Sequence, residues 1–156
     1  MFTASCPFDR CRCPVYHELT CTSAHNVEVP KLMSVEEYES VFQLVSVIQG
    51  DLAGSGTAVL AASLPPGSMT GAPKKRSCEL LQDLEGGKAR GLYSGVFGYL
   101  DVGGGGDFSV VIRSAFKWGG EDWRIGAGGA VTALSDANAE WDEMLAKREN
   151  VLRAFS

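Results

Sequence analysis

The sequence is poor in what marks membrane, secreted and nucleic-acid-binding chains. None of its 156 residues belongs to an apolar run long enough to cross a bilayer, which takes roughly 18 to 20 residues. The opening MFTASCPFDR lacks the basic and then apolar pattern of a signal peptide, so the chain reads as cytoplasmic, with no membrane partner. Positive charge is scarce: 14 Lys and Arg stand against 19 Asp and Glu, a net charge of −5. Such a chain has no electrostatic reason to approach a phosphate backbone, and nucleic acid is not an expected partner. Disorder is excluded as well, because 45% of the residues are hydrophobic and only 21% charged, the balance of a soluble globular domain. The length suits one domain with one core.

Cysteine is present in the wrong number and places for a disulfide framework. Four of five cysteines, Cys6, Cys11, Cys13 and Cys21, crowd the beginning, and Cys78 stands apart in a helical stretch. An odd count without even spread implies a reducing compartment. The spacing Cys-x4-Cys-x-Cys-x7-Cys lacks the paired short knuckles of zinc modules. Residues 1–24 carry two prolines and little periodicity, and read as a divergent, poorly ordered segment outside the core. Residues 25–156 read as the functional domain.

From Ser34 the pattern changes. Ser34 with Glu37 forms a capping-box pattern, and Tyr38, Val41, Phe42, Val45 and Ile48 recur at helical spacing until Gly50, which predicts a helix. A loop from Gly50 to Gly56 leads to an apolar run, Thr57 to Leu64, broken by Pro65, Pro66 and Gly67. A second helix is expected from Pro73, with Cys78, Leu81 and Leu84 along one side, ending at Gly86 and Gly87. Strand patterns follow over Leu92–Val102, Phe108–Trp118 and Trp123–Ala127, separated by glycines, and predict a three-strand antiparallel meander. A final helix opens near Asp136 and runs to about Ala154, with Trp141, Leu145, Leu152 and Phe155 as its buried stripe. Helices, then hairpins, then a helix indicate an α+β domain.

Three places could carry chemistry. In the final helix Glu140, Glu143 and Lys147 are spaced by three and four, so two carboxylates and an ammonium share one edge. By itself this is a surface ion-pair row. The functional alternative is a set of oxygen ligands for Mg²⁺, which takes one or two carboxylates together with water and an anionic substrate. The segment PPGSMTGAPK gathers Gly67, Ser68, Thr70 and Gly71 just before a helix start, where free backbone N–H groups attract anions. Arg113 alternates with Val111 and Ala115, which would place a guanidinium on a sheet face in need of a carboxylate.

Taken together, PGSMTGAPK, RGLYSGVFGY, DFSVVIRSA, GAGGAV and EWDEMLAK, in that order and spacing, resemble the carboxy-terminal half of the chorismate-utilising enzymes. The resemblance runs from about Asn26 to the end. TGAPK and the GAGGAV form look more like the para-aminobenzoate branch, which makes 4-amino-4-deoxychorismate for folate synthesis, than the anthranilate or isochorismate and salicylate branches. It implies the fold of that half: part of a two-sheet antiparallel β-sandwich with outer helices.

The resemblance also implies roles. Tyr93 and Arg113 would hold a carboxylate of chorismate, with Gly128 and Gly129 offering backbone N–H groups to the same anion. Glu143 would ligate Mg²⁺ with Glu140 beside it, Lys147 would face the substrate, and Ser68, Thr70 and Gly71 would shape the pocket wall. The family replaces a ring hydroxyl with an amine, using ammonia released by a glutamine amidotransferase subunit or fused domain. The chain departs from the pattern at Gln43 in VFQLVS, where histidine is common: an amide replaces a general acid and can orient but not protonate. Ala130 stands where glycine is common. His17-Glu18-Leu19 resembles the trailing edge of an upstream His-Asp-Leu motif, which implies a truncated copy lacking the reactive-lysine segment and the first Mg²⁺ carboxylate. A non-catalytic remnant that keeps the anion site is the contrasting reading.

Overall fold

The structure, a computed structural model, describes residues 2–5, 24–52 and 54–155. The chain divides into two compact units, Met1–Gly87 with Leu100–Gly106, and Lys88–Tyr99 with Asp107–Ser156. Both helices and antiparallel strand pairs are present, as the α+β reading requires.

The first unit is built on three strands, β1 (Phe2–Ser5), β2 (Ala24–Glu37) and β3 (Phe42–Leu52), in the order β1-β3-β2. Both pairings are antiparallel, from Phe2 opposite Gly50 to Ser5 opposite Val47, and from Ala24 opposite Leu52 to Glu37 opposite Phe42. The helix expected over Ser34–Gly50 is therefore two strands and a turn. Tyr38, Val41, Phe42 and Val45 match a helical repeat only because the turn, closed by Tyr38 N–H donating to the Val41 carbonyl at 2.9 Å, lies between them. Beyond it the period is two, since Ser46, Ile48 and Gly50 are buried and their neighbours less so. Val41, Val45, Val47 and Ile48, branched at Cβ or aligned for the pleated face, favour that outcome. Ser46, only 1% exposed, is satisfied by Met33 N–H at 2.9 Å, where the β2 backbone turns left-handed at φ 50°. Of the segment read as lying outside the core, Phe2–Ser5 pairs with β3. Residues 6–23, with Cys6, Cys11, Cys13, Cys21 and His17, lie outside the described residues; Cys78 is free and half-buried.

The apolar run after Gly56 is a helix, α1 (Gly56–Ser63), capped by the Ser55 hydroxyl and anchored by Val59. A single turn, α2 (Gly67–Thr70), precedes α3 (Lys74–Leu84). Pro73 occupies the capping position, and Gly86 and Gly87 end α3 with φ near 65° and 68°, the left-handed conformation that closes helices. Leu84, expected on the packed side, is 82% exposed.

In place of a three-strand meander, four short strands form two separate pairs. β4 (Val96–Leu100) pairs with β5 (Gly106–Val110), and β6 (Ala115–Phe116) with β7 (Arg124–Ile125). Gly98 permits the first pair, because a Cβ there would stand 2.0 Å from the Asp107 carbonyl oxygen. Leu92–Gly95 is turn and not strand: Gly95 N–H donates to Leu92 O at 3.0 Å, and Ser94 is left-handed at φ 68°. The second break falls at Arg113, left-handed at φ 51°, so Arg113 sits on a bend and not on a sheet face. The final helix, α4 (Ala137–Leu152), is capped by Asp136, whose Oδ1 accepts from Asn138 N–H at 3.1 Å and Ala139 N–H at 3.0 Å. A 3-10 turn, Arg153–Phe155, extends it. The stripe expected to be buried is largely exposed: Trp141 is 61%, Leu152 40% and Phe155 56% accessible, and Leu145 half-buried. Periodicity reports which face is apolar, not whether anything covers it. Among the described residues no helix is long and apolar enough to cross a membrane.

Candidate functional site

The second unit collects seven of the residues singled out by sequence. Tyr93 comes from the Leu92–Gly95 turn, Arg113 from the bend after β5, Gly128 and Gly129 from the segment after β7, and Glu140, Glu143 and Lys147 from α4. The glycine segment lets these parts close up. A Cβ on Gly126 would lie 2.1 Å from the Tyr93 ring, and one on Gly128 would lie 2.8 Å from the Tyr93 hydroxyl. Only side-chain-free positions allow the tyrosine to lie on this backbone. A Cβ on Gly129 would stand 2.7 Å from Glu140 Oε2, so the same segment also meets the helix.

The α4 row has the spacing expected of it. Lys147 Nζ forms an ion pair with Glu143 Oε1 and donates to the Gly128 carbonyl at 3.2 Å, tying helix and glycine segment together. The hydrogen bond from Lys147 and its positive charge hold the Glu143 carboxyl below its ordinary pKa, against an opposing effect of burial, and the Arg113 guanidinium adds the weakest of the effects. Arg113 thus acts on the same edge as Lys147. Because the folded value is the lower one, the favourable interaction is fully present above the ordinary pKa of the carboxyl and is lost as pH falls through the lowered one. Lys147→Met is expected to return the Glu143 titration upward toward the ordinary value, read as the side-chain ¹³C shift against pH; an unmoved midpoint would mean that lysine is not the main cause.

Glu140 differs from Glu143. Its Oε1 accepts from the Ser135 hydroxyl at 2.6 Å, while Oε2 is buried with no hydrogen-bond partner among the described residues. It borders a cleft of about 510 Å³ whose walls are mostly apolar, with Ala127, Val131, Trp141 and Met144 among them. Glu140, with its unpaired buried oxygen, and Glu143 supply oxygen donors of the kind Mg²⁺ accepts, although among the described residues no group of three or more His, Cys, Asp or Glu is placed to hold a metal ion.

Four predicted residues lie in the other unit. Gln43 is exposed on β3 opposite Glu36, Thr70 Oγ1 donates to the Pro66 carbonyl at 3.3 Å, Ser68 is exposed on α2, and Gly71, at φ 91°, ends that turn with N–H donating to Gly67 O at 2.8 Å. Two contributors had gone unassigned. Gly126 lies inside GAGGAV, but seating a ring 33 positions away leaves no local signal. Ser135 beside Asp136 reads as a helix cap, and only the fold turns its hydroxyl to Glu140.

The sequence profile of the chorismate binding enzyme family matches residues 17–153. The chain belongs to the chorismate binding enzymes. A Schizosaccharomyces pombe protein carrying the aminodeoxychorismate synthase name is 53% identical over 134 residues, 84% of this chain and 18% of that protein. The aminodeoxychorismate synthase of Saccharomyces cerevisiae is 47% identical over 148 residues, 83% of this chain and 19% of that one. The crystal structure of anthranilate synthase component I from Streptococcus pneumoniae superposes with a TM-score of 0.68 at 32% identity, covering 80% of this chain and 29% of that one. The chain thus spans about a fifth of the length of these curated relatives.

Proposed function

We propose that this chain is the chorismate-binding portion of an aminodeoxychorismate synthase, acting in para-aminobenzoate and folate synthesis. The observation that carries the reading is the meeting of Lys147, the Gly126–Gly129 segment and the Glu140/Glu143 edge, in the unit that also holds Arg113. Two cations, a glycine backbone and two carboxylates suit a dianionic substrate held partly by a divalent metal. The 47% and 53% identities with proteins of that name support the branch.

In the proposed reaction a C–N bond forms at the ring carbon that carries the hydroxyl, and the hydroxyl leaves as water. Ammonia would come from a glutamine amidotransferase subunit or fused domain, in the cytosol. Arg113 would take a chorismate carboxylate through two parallel N–H bonds, the geometry of a guanidinium fork. Tyr93, held against Gly126, would border the same anion, with Gly128 and Gly129 offering backbone N–H groups. Lys147 would place positive charge where negative charge gathers on the substrate. Mg²⁺, held by Glu143 and Glu140, would supply Lewis-acid anchoring of the ring carboxylate.

Calorimetric titration of the chain with chorismate, with and without Mg²⁺, tests this. Binding that tightens with Mg²⁺ is expected; no binding in either condition would overturn the reading. Product analysis with ammonium and the whole synthase separates the branches, since anthranilate or isochorismate in place of aminodeoxychorismate would assign another.

A further inference from the structure

We propose that Ser135 is a positioning residue that fixes the Glu140 carboxylate with one oxygen, Oε2, presented to a divalent cation; the inference rests on the reading of Glu140 and Glu143 as the metal edge. A serine hydroxyl has one proton and two lone pairs. The Thr132 N–H donates to Ser135 Oγ at 3.0 Å, which occupies a lone pair and sets the orientation of the hydroxyl. Three acceptors then compete for its proton: Glu140 Oε1 at 2.6 Å, Thr132 Oγ1 at 3.3 Å and the Ala130 carbonyl at 3.5 Å. The carboxylate is the nearest by 0.7 Å and the only charged one, and charge-assisted O–H···O⁻ bonds are the short and strong ones.

With Oε1 engaged, the carboxylate plane is set and Oε2 is turned toward Gly129, where a Cβ would stand 2.7 Å away. There it is buried without a partner among the described residues. A buried carboxylate oxygen without a partner is costly, and a cation removes that cost. Ser135 belongs to the turn before α4 and Glu140 to its first turn, so the bond ties the ligand to the helix cap and holds it against rotation about its side-chain torsions. Groups that hydrogen-bond to metal ligands orient them in this way, and their loss typically lowers metal affinity roughly 10- to 100-fold.

Mn²⁺ serves as a paramagnetic stand-in for Mg²⁺, with free ion counted by EPR during titration of the full chain. Ser135→Ala is expected to weaken Mn²⁺ binding about tenfold, and Ser135→Thr, which keeps the hydroxyl, to restore it to within about twofold of the parent. In the Glu140→Gln background Ser135→Ala should have no further effect, because residues acting through one another are not additive. A merely structural role would lower the melting temperature and leave this cycle additive. Should the alanine variant fail to fold, Ser135→Cys keeps the shape with a weaker donor and is expected to bind Mn²⁺ several-fold less tightly. If the parent binds Mn²⁺ and neither variant differs from it, or the cycle is additive, the inference about Ser135 falls while the metal reading stands. If the parent binds no Mn²⁺, the metal reading falls and takes the inference with it.

Discussion

Arg113→Lys is expected to weaken chorismate binding about 10- to 100-fold, although the formal charge is unchanged. A hydrogen bond to a charged group contributes about 1.5 to 3 kcal/mol, and about 1.4 kcal/mol is a factor of ten. Lysine keeps a point charge but loses the planar fork that meets a carboxylate through two N–H bonds. The backbone at Arg113 is left-handed at φ 51°, a conformation uncommon for a side chain of this size and one that concentrates where strain serves a site. Lys147 is the main cause of the lowered Glu143 pKa, so the lowering should persist in the variant and mark the helix edge as intact while chorismate affinity falls. Arg124→Lys is the control: Arg124 is exposed, as Arg113 is, but it is already paired, with Glu121 at 3.1 Å. Exposed pairs contribute little. Calorimetry should find Arg124→Lys indistinguishable from the parent, and an Arg113→Lys affinity equal to both would remove Arg113 from the substrate site.

The sequence showed the parts of this site better than the frame that holds them. Glu140, Glu143 and Lys147 were legible because helical spacing alone puts them on one edge, and α4 has the cap and length its pattern predicts. Tyr93, in a turn, was legible only through resemblance, and Arg113 was singled out by a strand alternation that the structure does not keep, since it sits on a left-handed bend. The misread segment, Ser34–Gly50, shows a physical ambiguity. Apolar residues on both sides of a tight turn fall at spacings of three and four by accident, and the β-branched residues beyond it were the better signal. The exposed Trp141, Leu152 and Phe155 teach a different lesson, that an apolar stripe measures a preference for burial and not its fulfilment. Contacts between the glycine segment and distant side chains had no local signature. The packing of Tyr93 on Gly126, where a Cβ would stand 2.1 Å from the ring, is fixed by how the fold brings the chain back on itself, as is the turning of Ser135 to Glu140.

Glu143→Gln is expected to abolish the enhancement of chorismate binding by Mg²⁺ while leaving the fold intact. The Glu143 side chain is 53% exposed on the helix edge, so an amide of the same shape disturbs no packed surface. Its amide oxygen can still accept from Lys147, and the tie from Lys147 to the Gly128 carbonyl at 3.2 Å does not depend on it. What the variant loses is the negative charge, and a neutral amide is a far poorer ligand for a hard cation than a carboxylate. Lys147 and Arg113 keep Glu143 ionised to lower pH than an ordinary glutamate. In the parent the Mg²⁺ effect should therefore persist through the usual carboxylate range and fade only as pH falls through the lowered value, where a proton displaces the metal. The same cations also compete with Mg²⁺ for the carboxylate, and at this point the substrate matters: an anion bound at Arg113 and Lys147 would neutralise them and free Glu143 for the metal. Mg²⁺ and chorismate should then bind with positive coupling, each raising the affinity for the other by the same factor. Glu140→Gln should reduce that coupling, since Glu143 remains, and Glu143→Gln should bring the factor to one. Equal Mg²⁺ enhancement in the Glu143→Gln variant and the parent, measured by calorimetry at neutral pH, would require another residue to hold the metal.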